Sequence, residues 1–304
     1  MKRAVVLGAA GFVGRHAARA FAAAGYEVTG IGHGGWTRDV WRSWGIADWH
    51  VADVTLDSLL TYAGDPDVLL QCAGSGSVAF SMTHPVQDYH RSVTTTLAAL
   101  EFTRLHAPEC RFVLPSSAAV YGAVETMPIR VDAPLSPVSP YGTHKKIAED
   151  LCVSYGHHFA LRSGIVRLFS VYGIGLRKQL LWDACRKLTV GETGFGGTGE
   201  ELRDWLHIED ASALLMAAAE HASADVPIAN GGVGTAASTG HVLATLADAL
   251  GTPARPRFTG ERRAGDPVDY EADIAQAAAW GWSPRRNLDA ELAAYAQWYL
   301  ADAA

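Results

Sequence analysis

The feature that most constrains this chain is its opening. Ala4-Val5-Val6-Leu7 is a short apolar run that leads directly into Gly8-Ala9-Ala10-Gly11-Phe12-Val13-Gly14. Such a run reads as a strand buried on both faces, and the alanine-rich stretch Phe12 to Ala24 reads as a helix. A G-x-x-G-x-x-G spacing between strand and helix permits a tight turn. It also lets backbone N–H groups approach a pyrophosphate, which the positive end of the helix favours. Gly8, Gly11, Phe12, Val13 and Gly14 are therefore candidate cofactor-binding residues, and their place in a strand–turn–helix unit makes the motif specific.

The alternation continues. Glu27 to Ile31, Asp67 to Leu70, Arg111 to Leu114 and Gly164 to Phe169 read as strands, and Pro85 to His106 as a long helix. Strands that alternate with helices imply parallel pairing through right-handed crossovers. The predicted fold class is α/β: a Rossmann-type doubly wound parallel sheet with a smaller C-terminal α/β substrate-binding lobe. The expected division is residues 1–173 as the dinucleotide-binding domain, with 205–230 returning to it, and 174–204 plus 231–304 as the lobe. In the second half, Gly191 to Glu201 reads as a loop or hairpin and Arg255 to Asp269 as irregular. Asp210 to Ala222, Val242 to Leu250 and Leu288 to Leu300 read as helices.

Composition narrows the partners. The net charge of −7 argues against non-specific nucleic-acid binding, so a phosphate-bearing substrate needs a local basic pocket. No run approaches the ~18 apolar residues of a membrane helix. The apolar run after Met1-Lys2-Arg3 ends too early for a signal peptide, so a cytoplasmic location with no membrane partner is expected. Cys72, Cys110, Cys152 and Cys185 are scattered, and His157 and His158 lack carboxylates at metal spacing, so no metal site is expected. Trp36, Trp41, Trp44 and Trp49 read as packing residues.

The second strand runs into Gly32-His33-Gly34-Gly35, without the acid that commonly holds the ribose 2′-OH of NAD. His33 and Arg38 are then candidates to contact the 2′-phosphate of NADP. Alternatively, His33 bonds a ribose hydroxyl or faces solvent. Asp53, with Val54, is placed either to accept from the adenine amino group or to cap a helix. Cys72-Ala73-Gly74 would lie along the cofactor, where small residues allow close approach. The cofactor is thus NAD or NADP.

Tyr141 and Lys145 stand four apart, so on a helix they share a face. A free tyrosine has a pKa of ~10, and a nearby ammonium lowers it. Ser117, in Pro115-Ser116-Ser117-Ala118-Ala119, follows a predicted strand and can donate to a substrate oxygen while Tyr141 exchanges its proton. A Tyr–Lys pair of this spacing arises by chance on many helices. Its order after the glycine turn and Ser117 supplies the specificity.

With these motifs the chain resembles the extended short-chain dehydrogenases/reductases of the NAD-dependent epimerase/dehydratase family over nearly its whole length. Arg167-Leu168-Phe169-Ser170-Val171-Tyr172-Gly173, Arg203-Asp204-Trp205-Leu206-His207-Ile208-Glu209-Asp210, Arg263-Ala264-Gly265-Asp266-Pro267 and Gly281-Trp282-Ser283-Pro284 belong to the likeness. The segments Gln71 to Pro85 and Ser116 to Gly122 are most similar to UDP-galactose 4-epimerases. The resemblance implies that Ser117 and Tyr141 handle a sugar hydroxyl and that Lys145 binds the cofactor ribose. It implies that Arg203 and Arg263 contact a nucleotide diphosphate, bidentately through their planar forks. A surface salt bridge to Asp204 or Glu201 is the competing role for Arg203. Ser75, Ser170, Lys178 and Gln179 are further substrate candidates, and a homodimer through the Pro85 to His106 helix and the Tyr141 helix is expected.

Three departures refine the function. Family dehydratases carry an Asp-Glu pair where this chain has Ala118-Ala119, and elimination of water needs an acid and a base there. Ser170 replaces the usual asparagine. His144 replaces the usual serine and is expected on the helix surface. The implied activity is epimerisation of a nucleotide sugar, at C4, through a transient 4-keto sugar. The alternatives are an NADPH-dependent reductase of a nucleotide-linked 4-keto sugar and a non-catalytic dinucleotide sensor.

Overall fold

A computed structural model describes residues 1–261 and 269–303. The six strands β1 (Arg3–Leu7), β2 (Glu27–Gly32), β3 (Ile46–Val51), β4 (Val68–Gln71), β5 (Arg111–Ser117) and β6 (Ser163–Leu168) join the strand Ile228–Gly231 in one sheet. The order is Ile228–Gly231, β6, β5, β4, β1, β2, β3, and every pair is parallel. The chain runs outward from β1 to β3, then restarts at β4 on the other side of β1. That reversal opens a crevice beyond the C-terminal ends of β1 and β4, where ligands of such sheets bind. The doubly wound architecture expected from the alternation is the one observed.

The absence of polar residues from Ala4 to Leu7 follows from burial on both faces of β1. Ala4 and Val6 pack with Ala17 and Phe21 of helix α1 (Phe12–Ala23) and with Leu214 and Ala218 of the helix Ile208–His221. Val5 and Leu7 pack on the other face with Leu100 and Phe102 of Thr95–His106, and with Ala148 and Cys152 of Pro140–Phe159. Each buried branched aliphatic contributes about 1.5–3 kcal/mol of transfer free energy, so both faces hold the sheet. A third apolar cluster joins the helices Gln179–Thr189, Thr239–Ala249 and Leu288–Ala303 through Leu181, Leu188, Leu246 and Tyr295.

The helix expected over Pro85 to His106 is continuous, but its middle turn, His90–Thr94, is a π-turn between Pro85–Tyr89 and Thr95–His106. Gly191 to Glu201 is not a hairpin. Its short strand Gly194–Phe195 pairs in parallel with Arg257–Phe258, part of the stretch expected to be irregular. Glu201 closes the segment instead, accepting from the N–H groups of Thr198 at 2.7 Å and Gly199 at 3.0 Å. The four tryptophans pack, partly buried, against the cluster that contains α1. Among the described residues no helix is long and apolar enough to cross a membrane, and no group of three His, Cys, Asp or Glu is placed to hold a metal ion.

Candidate active site

The glycine turn is built to leave backbone exposed. Gly8 N–H donates to Ile31 O at 2.7 Å, and Gly11 N–H donates to Gly8 O at 2.9 Å. Gly8 has φ +74°, and a Cβ there would lie 2.7 Å from the Ala73 nitrogen. A Cβ on Gly14 would lie 2.3 Å from Gly8 O, so the first turn of α1 rests directly on the loop. Gly11 caps α1 without any side-chain bond and is exposed. Phe12 and Val13 turn their side chains into the protein, where Phe12 meets His16 edge-on at 5.1 Å. The contribution of Phe12 and Val13 is thus their position in the first helical turn. An open helix N-terminus over close-packed glycines fits the pyrophosphate of a dinucleotide.

Around it, Cys72, Ala73 and Gly74 follow β4, and Cys72 and Ala73 border Gly8. Burial pushes the Cys72 thiol up to about 12, against the opposing pull of the nearby Lys145 ammonium. Val54 is buried, and Asp53 does not cap the next helix. That role falls to Thr55, whose hydroxyl accepts from Ser58 N–H at 3.2 Å. Instead the Asp53 carboxylate lies 2.7 Å from His33 Nε2.

The helix that carries Tyr141 and Lys145 packs against the C-terminal end of β5, which Ser117 closes. Ser117 is the last residue of that strand, opposite Leu168 of β6. Its Oγ accepts from Ala119 N–H at 3.2 Å and starts the short turn Ala118–Val120. The helix Pro140–Phe159 begins with Pro140 in its first turn and with Ser139 Oγ accepting from Gly142 N–H at 3.2 Å. A Cβ on Gly142 would lie 2.5 Å from Ala119 O, so this helix approaches the Ser117 loop backbone to backbone. Tyr141 is half-buried, and its N–H donates to Ser81 Oγ at 3.1 Å. Lys145 Nζ donates to Pro115 O at 2.9 Å, two residues before Ser117.

A buried polar chain stands behind these groups. Ser116 Oγ donates to Glu149, and Glu149 takes Arg167 Nη2 at 2.8 Å. Arg167 Nη1 donates to the Tyr121 hydroxyl at 2.9 Å, which donates to Asn230 Oδ1 at 2.6 Å. Burial alone would lower the Arg167 pKa, but its bonds to Glu149 outweigh that and hold the guanidinium charged. Sequence reasoning missed this chain, whose members lie on different elements. It also misplaced His144, which is buried, with Nδ1 2.5 Å from the fully buried Asp88 carboxylate. His144 lies on the face of its helix that packs against Pro85–Tyr89, not on the surface.

The substrate candidates lie farther out. Ser75 and Ser170 are half-buried. Lys178 is exposed, and its Nζ sits 3.6 Å from where a Gly76 Cβ would be. Gln179 opens its helix at φ +67°. Arg203 is half-buried and donates to Leu202 O at 2.8 Å. Asp204, one of its two expected alternative partners, accepts backbone N–H groups from Val233 at 2.5 Å, Gly234 at 3.0 Å and Ala272 at 3.1 Å. Arg263 lies outside the described residues.

Residues 4–230 match the model of the NAD dependent epimerase/dehydratase family. A UDP-glucose 4-epimerase of Azospirillum brasilense is 28% identical over 308 residues, covering 94% of this chain and 88% of its own. A UDP-glucose 4-epimerase of Corynebacterium glutamicum is 29% identical, covering 93% and 91%. Among solved structures, a UDP-glucuronic acid 4-epimerase from Bacillus cereus, in complex with UDP-glucuronic acid and NAD, superposes with TM-score 0.86 at 27% identity over 99% of both chains. A UDP-glucose 4-epimerase from Thermotoga maritima shares the fold with TM-score 0.88 at 21% identity, covering 99% of this chain and 100% of that one.

Proposed function

Because the chain belongs to the NAD-dependent epimerase/dehydratase family, we propose that it is a nucleotide-sugar 4-epimerase acting on a UDP-sugar with NAD as its cofactor. The observation that carries this reading is the close approach of the helix carrying Tyr141 and Lys145 to the Ser117 loop, with Lys145 Nζ tied to Pro115 O at 2.9 Å. Tyr141 takes the proton of the sugar 4-hydroxyl while Ser117 holds the same oxygen by a hydrogen bond. Lys145 holds the cofactor ribose. When bound, the nicotinamide supplies a reversible acceptor for the hydride at C4. The ketone then presents its other face, and Tyr141 returns the proton as that carbon is reduced again. Ala118 and Ala119 place no acid or base beside Ser117, which removes 4,6-dehydration from the chemistry.

Arg203 and Arg263 bind the diphosphate in this reading, and Ser75, Ser170, Lys178 and Gln179 border the sugar and nucleotide. The lobe formed by 174–204 and 231–304 supplies much of that surface. The names of the relatives support both the uridine nucleotide and position C4. We assign the work to the cytoplasm and the active form to a homodimer. Exposed Val86, Tyr89 and Leu97 on the long helix, with Val153 on the Tyr141 helix, support the latter.

Incubation of the purified protein with UDP-sugars tests the reading. The expected result is an isomerised sugar with no net change in reduced-nicotinamide absorbance. Stoichiometric loss of NADPH with a keto sugar would replace epimerase by reductase.

A further inference from the structure

We propose that His33 and Asp53 form a recognition pair at the adenosine ribose that selects NAD over NADP, with Asp53 standing in for the carboxylate missing from the tip of β2. The proposal rests on the reading that the glycine turn holds a dinucleotide. It begins from strand register. Gly32 pairs with Val51 at the ends of β2 and β3, and Ala52 N–H donates to Gly32 O at 3.1 Å. One residue beyond Gly32 and two beyond Val51, the chains still run side by side, and His33 Nε2 and Asp53 Oδ1 lie 2.7 Å apart across twenty positions of sequence.

The flanking glycines fix where this pair sits. A Cβ on Gly32 would lie 3.2 Å from Gly8 Cα, and one on Gly34 would lie 3.0 Å from Ala10 Cβ. The His33 backbone is therefore pressed against the glycine turn itself. In sheets of this type the second strand ends beside the adenosine ribose. A carboxylate at that place accepts from a 2′-OH, and it repels the dianionic 2′-phosphate of NADP. Asp53 Oδ1 is engaged by His33, and the Asp53 side chain is largely exposed to solvent. His33 Nε2 is thereby taken by Asp53. Arg38, exposed in the following helix Arg38–Ser43, is the competing candidate for a 2′-phosphate.

Equilibrating the purified protein with equal concentrations of NAD and NADP, removing free dinucleotide, and denaturing it to quantify what is released separates these roles. The wild type is expected to release an excess of NAD. Asp53→Asn is expected to move the NAD:NADP ratio about fivefold toward NADP, the size of effect typical of an exposed charge pair. A lost adenine contact would weaken both dinucleotides alike, so the ratio reads the 2′ position alone. Arg38→Ala is expected to leave the ratio unchanged. A wild type loaded mainly with NADP, or an unchanged ratio in Asp53→Asn, would overturn the selection while leaving the cofactor reading intact. Release of neither dinucleotide would overturn both.

Discussion

The two ends of the crevice at the sheet's reversal point are built by opposite means. At the tips of β2 and β3, His33 and Asp53 meet in solvent, with side chains 72% and 82% exposed. Behind Ser117, by contrast, Ser116, Glu149, Arg167, Tyr121 and Asn230 are bonded in series, and Glu149 and Arg167 are nearly inaccessible. An exposed pair is weakly coupled to its surroundings, so its residues can be exchanged at small cost. A buried charged chain cannot lose a member without stranding another. The difference teaches that the recognition end is adjustable and the reactive end is over-determined.

Substitutions that confuse these two behaviours would break the comparison. The largest effect is expected for Tyr141→Phe, a loss of about 10³-fold in kcat, within the range of positioned acid–base groups. Retained dinucleotide, measured after denaturation, is expected to stay at the wild-type level. Glu149→Gln tests the buried chain without touching the reacting groups. It leaves the Arg167 charge unbalanced and is expected to cost about 3 kcal/mol in urea unfolding. Wild-type stability in that variant would show that the chain is not what holds the reactive end.

A pH dependence sharpens the contrast on the cofactor side. Burial on α1 holds His16 neutral and pushes its pKa down to about 3 from 6.5, with the nearby Arg19 and Arg15 charges adding to the shift. Between those values the unfolded chain binds a proton that the folded chain refuses. Stability therefore rises with pH up to about 6.5 and is lost as the pH falls through that window. His16→Gln is expected to flatten unfolding free energy against pH between about 4 and 6.5. The smallest effect belongs to Lys178→Ala. A KM raised about threefold with unchanged kcat is expected of one exposed ammonium near the substrate. A fall in kcat instead would move Lys178 to the reactive end.

The sequence made local features legible and long-range pairings opaque. The glycine turn, β1 and the helix after it are specified by consecutive residues, so apolar runs and glycine spacing suffice to find them. Tyr141 and Lys145 share a helix face for the same reason. His33 and Asp53 were both named as cofactor residues, but their contact depends on the register of β2 against β3, which neither strand encodes alone. His144 was misread because Asp88, 56 positions earlier, covers the face it occupies. The parallel pairing of Gly194–Phe195 with Arg257–Phe258 escaped notice because two-residue strands leave no periodicity to detect.

Gly142 gives the reactive end a further property. Its missing side chain lets the Tyr141 helix rest on the carbonyl of Ala119, so the spacing between that helix and the Ser117 loop, which the proposed proton transfer uses, is set by main chain meeting main chain. Side chains that line the sugar can then be exchanged over generations without retuning that gap. One unaltered reaction centre can serve a succession of different sugars, and the freedom to change substrate is a dividend of a residue that contributes no chemistry at all.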